Sequence, residues 1–133
     1  MDIVLIDDDV IGVFLTERLL KREGFTENIT SFQSAEEALG FLQNAGPHEL
    51  PHVIFLDLNM PIMDGWDFLD ALKPQENRLL GRSHIYILTS SLAHSDLARI
   101  EDFPLVAGLI HKPLDTVQIQ AVRAQVEAAL SSG

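Results

Sequence analysis

The chain has 133 residues, of which 47% are hydrophobic and 22% are charged, so it is predicted to form one globular domain and not a disordered chain. It has no cysteine, which excludes disulfides, thiolate metal sites and cysteine nucleophiles. Its net charge is −11 with nine Lys and Arg residues and no basic run, which argues against direct nucleic-acid binding.

The first half of the chain alternates short apolar runs with helical patterns. In chain order we predict a strand at residues 3–6, a helix at 10–23, a strand at 29–32, a helix opened by Ser34-Ala35-Glu36-Glu37 and running through Leu42, and a loop at 44–51. The apolar stripe of the first helix is Ile11, Phe14, Leu15 and Leu19. Asp9 is placed to cap this helix and Gly24 to end it.

The second half of the chain continues the alternation. We predict a strand at residues 53–56, a helix at 66–72, a polar loop at 75–83, a strand at 85–88, a helix over about 94–100, a short strand at 108–111 and a last helix capped by Asp115-Thr116-Val117-Gln118. One face of the last helix carries Ile119, Val122, Val126 and Leu130.

Five strands that are each followed by a helix predict an α/β domain with a parallel sheet covered on both faces. Right-handed crossovers leave few topologies, and ligands of such sheets bind at the carboxyl ends of the strands. The unusual polar residues of this chain fall at those ends: Asp7 and Asp8 after the first strand, Asp57 after the third, Thr89-Ser90 after the fourth and Lys112-Pro113 after the fifth.

Each of these residues has a simpler explanation when it is considered singly. Asp7-Asp8-Asp9 could cap a helix, Asp57 could end a strand in a turn, Thr89 could cap a helix, and Lys112 could be an ordinary exposed lysine. Their coincidence at one edge of the sheet favours a functional site. The five histidines lack metal-ligand spacing, and Met60, Met63 and Trp66 are expected to pack in the core.

The converging carboxylates predict a divalent metal site. Two carboxylates about 4 Å apart repel each other by about 1 kcal/mol in water and about 4 kcal/mol at an effective dielectric constant of 20. A divalent cation bound among the carboxylates removes that repulsion.

The motifs Asp7-Asp8, Asp57 within Leu56-Asp57-Leu58-Asn59-Met60-Pro61-Ile62-Met63-Asp64-Gly65, Thr89-Ser90 and Lys112-Pro113 resemble the receiver domains of bacterial two-component response regulators. The resemblance covers essentially the whole chain and includes the stand-alone, CheY-like type. It implies a flavodoxin-like (βα)5 three-layer sandwich whose five-stranded parallel sheet has the order 2-1-3-4-5.

The resemblance also implies a role for each site residue. Asp57 would accept a phosphoryl group from a phosphohistidine on a histidine kinase or a phosphotransfer protein. Mg²⁺ would be bound by Asp8, Asp57 and the backbone carbonyl of Asn59, with Asp7 acting through water. Lys112 and the Thr89 hydroxyl would each contact a phosphoryl oxygen.

The chain departs from the family pattern at one switch position. Where the family has an aromatic residue three positions before the lysine, this chain has Leu109. The candidate residues of the conformational switch are thus Thr89 and Leu109. We expect Leu109 either to pack inward in both the free and the phosphorylated state or to present an apolar contact to a partner.

The same resemblance implies a domain organisation, a cellular location and a set of partners. We expect a single receiver domain over residues 1–133 without an output domain. We expect it in the cytoplasm, because neither a signal peptide nor a membrane span is visible. Expected partners are the kinase or phosphotransfer protein and an unidentified downstream protein, and the expected state is a monomer or a phosphorylation-dependent dimer. Nucleic acid and membrane are not expected partners.

Two other classes of function remain as alternatives. A magnesium-dependent phosphohydrolase with an aspartyl-phosphate intermediate commonly carries Asp-x-Asp, whereas Asn59 stands at the second position here, and no cap segment fits in this length. A receiver that has lost phosphorylation and acts as a binding or scaffold module is the other alternative. The complete set of Asp, Thr and Lys residues argues against it.

Overall fold

A computed structural model describes residues 1–25, 28–90 and 94–132 of the chain. Its strands form an all-parallel sheet in the order β2-β1-β3-β4-β5, which confirms the predicted flavodoxin-like fold class. The strands are β1 (Ile3–Ile6), β2 (Ile29–Phe32), β3 (Val53–Asp57), β4 (His84–Thr89) and β5 (Val106–His111).

Helices connect and follow the strands. They are α1 (Val10–Arg22), α2 (Ala35–Asn44), α3 (Gly65–Leu72), α4 (Glu76–Leu79), α5 (His94–Ile100) and α6 (Thr116–Ser132), with a 3₁₀ turn at Lys73–Gln75. Within the described ranges no helix is long and apolar enough to cross a membrane.

The prediction of a loop at residues 75–83 was wrong, because α4 lies within it. Leu79 of this short helix is fully buried, and the Arg78 guanidinium donates hydrogen bonds to the backbone carbonyls of Leu42 and Ala45 at the end of α2. These tertiary contacts stabilise a helical turn whose polar sequence gives no periodic signal.

An apolar core lies on each face of the sheet. Alternate residues of β3 point to opposite faces, so Ile54 packs with α2 and α3 while Phe55 packs with α1 and α6. Met60 and Trp66 are buried in the first core and Met63 packs against it, as predicted.

The apolar stripe that predicts α1 meets the core only at Leu19, which packs against the cluster that contains Phe55. Ile11, Phe14 and Leu15 are all more than half exposed, and the residue that α1 buries completely is Leu20. In α6 the predicted face is buried except for Leu130, which is exposed. Helical periodicity therefore identified both helices correctly but misplaced the face that α1 turns toward the sheet.

The strand register brings the predicted site residues to one level of the sheet. Ile6 of β1 lies beside Leu56 of β3, so Asp7 and Asp57 follow at equivalent positions. On the other side of β3, the Lys112 backbone N–H donates a hydrogen bond to the Thr89 carbonyl across 2.8 Å. The carboxyl ends of β1, β3, β4 and β5 thus form one continuous edge.

Candidate functional site

Three carboxylates meet at the carboxyl edge of the sheet. Asp7, Asp8 and Asp57 each present an oxygen atom, and these atoms all lie within 4.8 Å of one another. Asp7 and Asp57 are buried, whereas Asp8 is exposed. The convergence that the sequence predicts is therefore present.

The Lys112 ammonium lies among these carboxylates. Its Nζ is 3.0 Å from Oδ2 of Asp7 and 3.5 Å from Oδ2 of Asp57. The lysine comes directly after β5, and its backbone hydrogen bond to Thr89 fixes its position relative to β4. A single ammonium thus contacts both buried acids.

Backbone amides hold the other oxygen of each buried acid. The Asp9 N–H donates to Oδ1 of Asp7 across 3.0 Å, and the Asn59 N–H donates to Oδ1 of Asp57 across 3.2 Å. Within residues 1–25, 28–90 and 94–132, the Asp8 side chain has no hydrogen bond or ion pair. Asp7 and Asp57 are therefore oriented by the protein, whereas Asp8 is not.

Burial and charge shift the protonation equilibria of this site. Burial is the main cause that raises the pKa of Asp57 to about 6, and the charge of Asp7 adds to it, while the Asn59 N–H and Lys112 act in the opposite direction. Burial lowers the pKa of Lys112, but its hydrogen bond to Asp7 and the charges of Asp7 and Asp57 outweigh that effect and raise it. The protein therefore keeps Lys112 charged. It also opposes the ionisation of Asp57, because Asp57 is buried beside the negative charge of Asp7.

The donor set fits a magnesium ion. All three groups are carboxylates, the oxygen donors that Mg²⁺ prefers, and one ammonium balances only part of their charge. Asp7, Asp8 and Asp57 are therefore the side chains that would hold the ion. The assignment of the Asn59 carbonyl as a further ligand remains a prediction.

The two predicted switch residues lie at different depths. Thr89 ends β4 and is completely buried. Leu109 in β5 is partly buried and packs against the core formed with α2 and α3. Its position in the structure fits inward packing, and its part in a switch remains a prediction.

The loop from Asp57 to α3 is tightly constrained at its end. A Cβ atom on Gly65 would lie 2.9 Å from Cα of Leu58 and 3.0 Å from the carbonyl oxygen of Asp57, closer than side chains tolerate. Asp64 and Asp67 then form a capping box that starts α3. Glycine at position 65 therefore lets α3 begin directly against the end of β3.

Sequence reasoning missed a strained residue in the same loop. Ile62 has a φ of +71°, and the Met63 N–H donates to the Pro61 carbonyl across 2.8 Å, which makes a three-residue γ-turn. A left-handed conformation at such a residue costs of the order of 1–3 kcal/mol. The sequence contains no signal for it, because Gly or Asn would be the expected residue in such a turn.

A groove opens from the side of α1 onto the edge of the sheet that carries Asp7 and Lys112. Its volume is about 870 Å³. Asp7 and Lys112 line one end of it, and Leu19 of α1 and Leu114 after β5 form apolar walls. The sequence did not predict this groove, because the groove depends on the distance between α1 and the segment that follows β5.

Comparisons with known proteins agree with this fold. The family model described as response regulator receiver domain matches residues 3–124. The chain is 32% identical over 114 residues to the probable methanogenesis regulatory protein FilR2 of Methanothrix harundinacea, covering 84% of this chain and 72% of that protein. It is 28% identical to the probable chemotaxis protein CheY of Rhizobium etli, covering 98% of this chain and 92% of that protein.

Solved structures give the same result. A response regulator receiver protein from Dyadobacter fermentans superposes with a TM-score of 0.83 at 28% identity, covering 96% of this chain and 98% of the other. A two-component response regulator from Cytophaga hutchinsonii superposes with a TM-score of 0.81 at 30% identity, covering 96% of each chain.

Proposed function

This chain belongs to the response regulator receiver domain family, whose members are phosphoacceptor modules of two-component signalling, and on that basis we propose that Asp57 is its phosphoacceptor. The donor is a phosphohistidine on a sensor histidine kinase or a histidine phosphotransfer protein. The observation that carries the proposal is the geometry of Asp57, which is buried, oriented by the Asn59 amide and 3.5 Å from the Lys112 ammonium.

In the proposed reaction a carboxylate oxygen of Asp57 bonds to phosphorus as the bond from phosphorus to the imidazole nitrogen breaks. The imidazole leaves with the electron pair of that bond and takes up a proton. Catalysis of this kind consists of positioning and charge stabilisation. The strand end and the Asn59 N–H supply the positioning, because together they hold the Asp57 carboxylate at the edge of the sheet.

Lys112 supplies part of the charge stabilisation in this proposal. Its ammonium already lies between Asp7 and Asp57, so it can pair with an oxygen of the incoming phosphoryl group without crossing the site. The Thr89 hydroxyl, at the end of the neighbouring strand, donates a hydrogen bond to another phosphoryl oxygen.

Magnesium is the proposed cofactor, held directly by Asp8, Asp57 and the backbone carbonyl of Asn59, with Asp7 acting through water. When bound, Mg²⁺ neutralises the carboxylates and the phosphoryl oxygens that would otherwise repel each other. Asp8 is suited to this role because its exposed carboxylate has no competing partner in the described part of the chain.

The proposed output is a change in protein contacts. Thr89 shifts toward the phosphoryl group, and Leu109 either stays packed inward or contacts a partner. A Leu109→Tyr variant separates these roles, because unchanged partner affinity in both phosphorylation states would exclude Leu109 as a switch element. We further propose a stand-alone cytoplasmic regulator, monomeric or dimerising on phosphorylation, whose only direct partners are proteins, neither nucleic acid nor membrane.

The experiment that tests this function is an intact-mass measurement after incubation with acetyl phosphate. We expect the mass of one phosphoryl group in the presence of Mg²⁺, and no gain without Mg²⁺ or in an Asp57→Asn variant. If added beryllofluoride also caused no thermal shift, a phosphorylation-independent binding module would replace the proposal. Turnover of added phosphoesters would instead indicate a phosphohydrolase.

A further inference from the structure

Ile62 combines two unfavourable properties in the free protein. Its backbone is left-handed, which is an outlier conformation for a β-branched residue. Its side chain is 94% exposed, so burial in the folded chain does not offset that conformation. Among the large hydrophobic residues of the described ranges, none is more exposed.

The shape of the loop does not require isoleucine. Glycine adopts a positive φ as readily as a negative one, and asparagine adopts it more readily than a β-branched residue does. Either residue would make the same turn between Pro61 and Met63 with less strain. The isoleucine side chain itself therefore needs an explanation, and an observed backbone outlier near a reactive group is a legitimate starting point for one.

Ile62 is held at a fixed place near the acceptor. It follows Asp57 by five residues, and both ends of the loop are tied to the strand: the Asn59 N–H bonds to Asp57, and the Gly65 N–H donates to the Leu58 carbonyl across 3.1 Å. The side chain therefore projects into solvent beside the acceptor edge from an anchored loop.

Other exposed apolar side chains lie at the same edge of the sheet. Val10 and Ile11, which follow the three aspartates after β1, are 59% and 71% exposed. A protein that brings a phosphohistidine to the buried Asp57 carboxylate has to cover this edge, because a histidine side chain is short. A small phosphodonor has no surface with which to cover it.

We propose that Ile62 is a specificity-determining contact that is buried in an apolar recess of the protein phosphodonor. The inference rests on the proposed phosphoacceptor function and adds a partner contact to it. Complex formation would bury the exposed side chain and so offset the strain that the free protein carries. Ile62 therefore favours transfer from a matching protein over transfer from a small molecule.

The test compares two donors and two variants. Ile62→Asn removes the apolar side chain and keeps a residue that tolerates the turn. Leu80→Asn is the control, because Leu80 is also an exposed apolar side chain, 42% exposed, but it precedes β4 at the opposite edge of the sheet. The protein donors are the autophosphorylated histidine kinases of the source organism, profiled for transfer to the wild type, and the fastest one is kept.

The readout is the rate of transfer from that kinase divided by the rate with acetyl phosphate. We expect Ile62→Asn to lower this ratio about tenfold, the effect of losing one well-buried apolar contact, and Leu80→Asn to leave it unchanged. We also expect the melting temperature of Ile62→Asn to equal or exceed that of the wild type, which shows that the variant is folded.

An unchanged ratio for Ile62→Asn, with normal phosphorylation of the wild type, would overturn the specificity role and leave the proposed function intact. An equal fall for Leu80→Asn would also overturn it, because the effect would not depend on the acceptor edge. Failure of the wild type to take phosphoryl groups from acetyl phosphate as well as from every kinase would instead overturn the proposed function.

Discussion

The Lys112 ammonium donates a hydrogen bond to Oδ2 of Asp7 across 3.0 Å, so it lies nearer to Asp7 than to Asp57, whose Oδ2 is 3.5 Å away. Lysine and a bound metal ion are both positive, and both depend on the same carboxylates. In the proposed function this makes Lys112 a competitor of the metal before phosphorylation and a partner of the phosphoryl group after it.

The Lys112→Met variant tests this competition. We expect it to bind Mg²⁺ several-fold more tightly than the wild type, because a positive charge beside the metal site is removed. Its phosphorylation by acetyl phosphate should nevertheless be slower at saturating Mg²⁺, since no ammonium meets the phosphoryl oxygens. Isothermal titration calorimetry and intact-mass kinetics measure the two effects. Weaker Mg²⁺ binding by the variant would contradict the competition.

The Asp8→Ala variant tests both the repulsion among the three carboxylates and the part of Asp8 in metal binding. In buffer with EDTA we expect Asp8→Ala to melt at a higher temperature than the wild type, by an amount equivalent to at most about 1 kcal/mol, because Asp8 is exposed and its repulsion by Asp7 and Asp57 is screened by water. Added Mg²⁺ should stabilise the wild type and have little effect on the variant. Thermal scanning of both proteins measures this. A variant less stable than the wild type in EDTA would show that the carboxylates do not repel each other in the folded protein.

The raised pKa of Asp57 predicts a dependence of stability on pH. In the folded protein the pKa of Asp57 is about 6, above the ordinary aspartate value of 3.8 that applies to the unfolded chain. The folded state therefore binds this proton more tightly, and the stability gained is fully present below about pH 4 and lost as the pH rises through 6. Without metal, Asp57→Asn should therefore gain up to about 3 kcal/mol over the wild type between pH 4 and pH 8. Urea unfolding at both pH values, in EDTA, measures the difference. A difference that stays constant with pH would contradict the raised pKa.

Two glycines provide a matched pair for the acceptor loop. Gly65→Ala places a methyl group against Leu58 and the Asp57 carbonyl, so we expect a loss of about 1–3 kcal/mol and slower phosphorylation. Gly40→Ala meets no atom within 4 Å inside α2, so we expect a gain of about 0.5–1 kcal/mol and unchanged phosphorylation. Urea unfolding and acetyl phosphate kinetics compare them. A Gly65→Ala protein with wild-type stability would show that the loop can relax without cost.

The acceptor edge was predictable because its determinants are local. An apolar run that ends at Asp57 predicts a buried strand, and parallel strands bring their carboxyl ends to one edge, which also places Asp7 and Lys112 there. The pairing of Lys112 with Asp7 in preference to Asp57 was not predictable, because it depends on a difference of half an ångström between two side chains at the same edge.

The features that sequence reasoning missed depend on tertiary geometry. A helical period shows that α1 has an apolar face but not whether that face meets the sheet, and Phe14 and Leu15 in fact face solvent. The short helix α4 depends on contacts of Arg78 with the end of α2, more than 30 residues earlier in the chain. The left-handed backbone of Ile62 contradicts the preference of its own side chain, so no propensity could indicate it.

The central claim is that Asp57 itself carries the phosphoryl group. Its most direct test is borohydride reduction of the protein after treatment with acetyl phosphate and Mg²⁺, followed by peptide mass spectrometry, because borohydride converts an aspartyl phosphate into homoserine. We predict homoserine at position 57 and unmodified aspartate at positions 7 and 8. Homoserine at position 7 or 8, or at none of the three, would contradict the account.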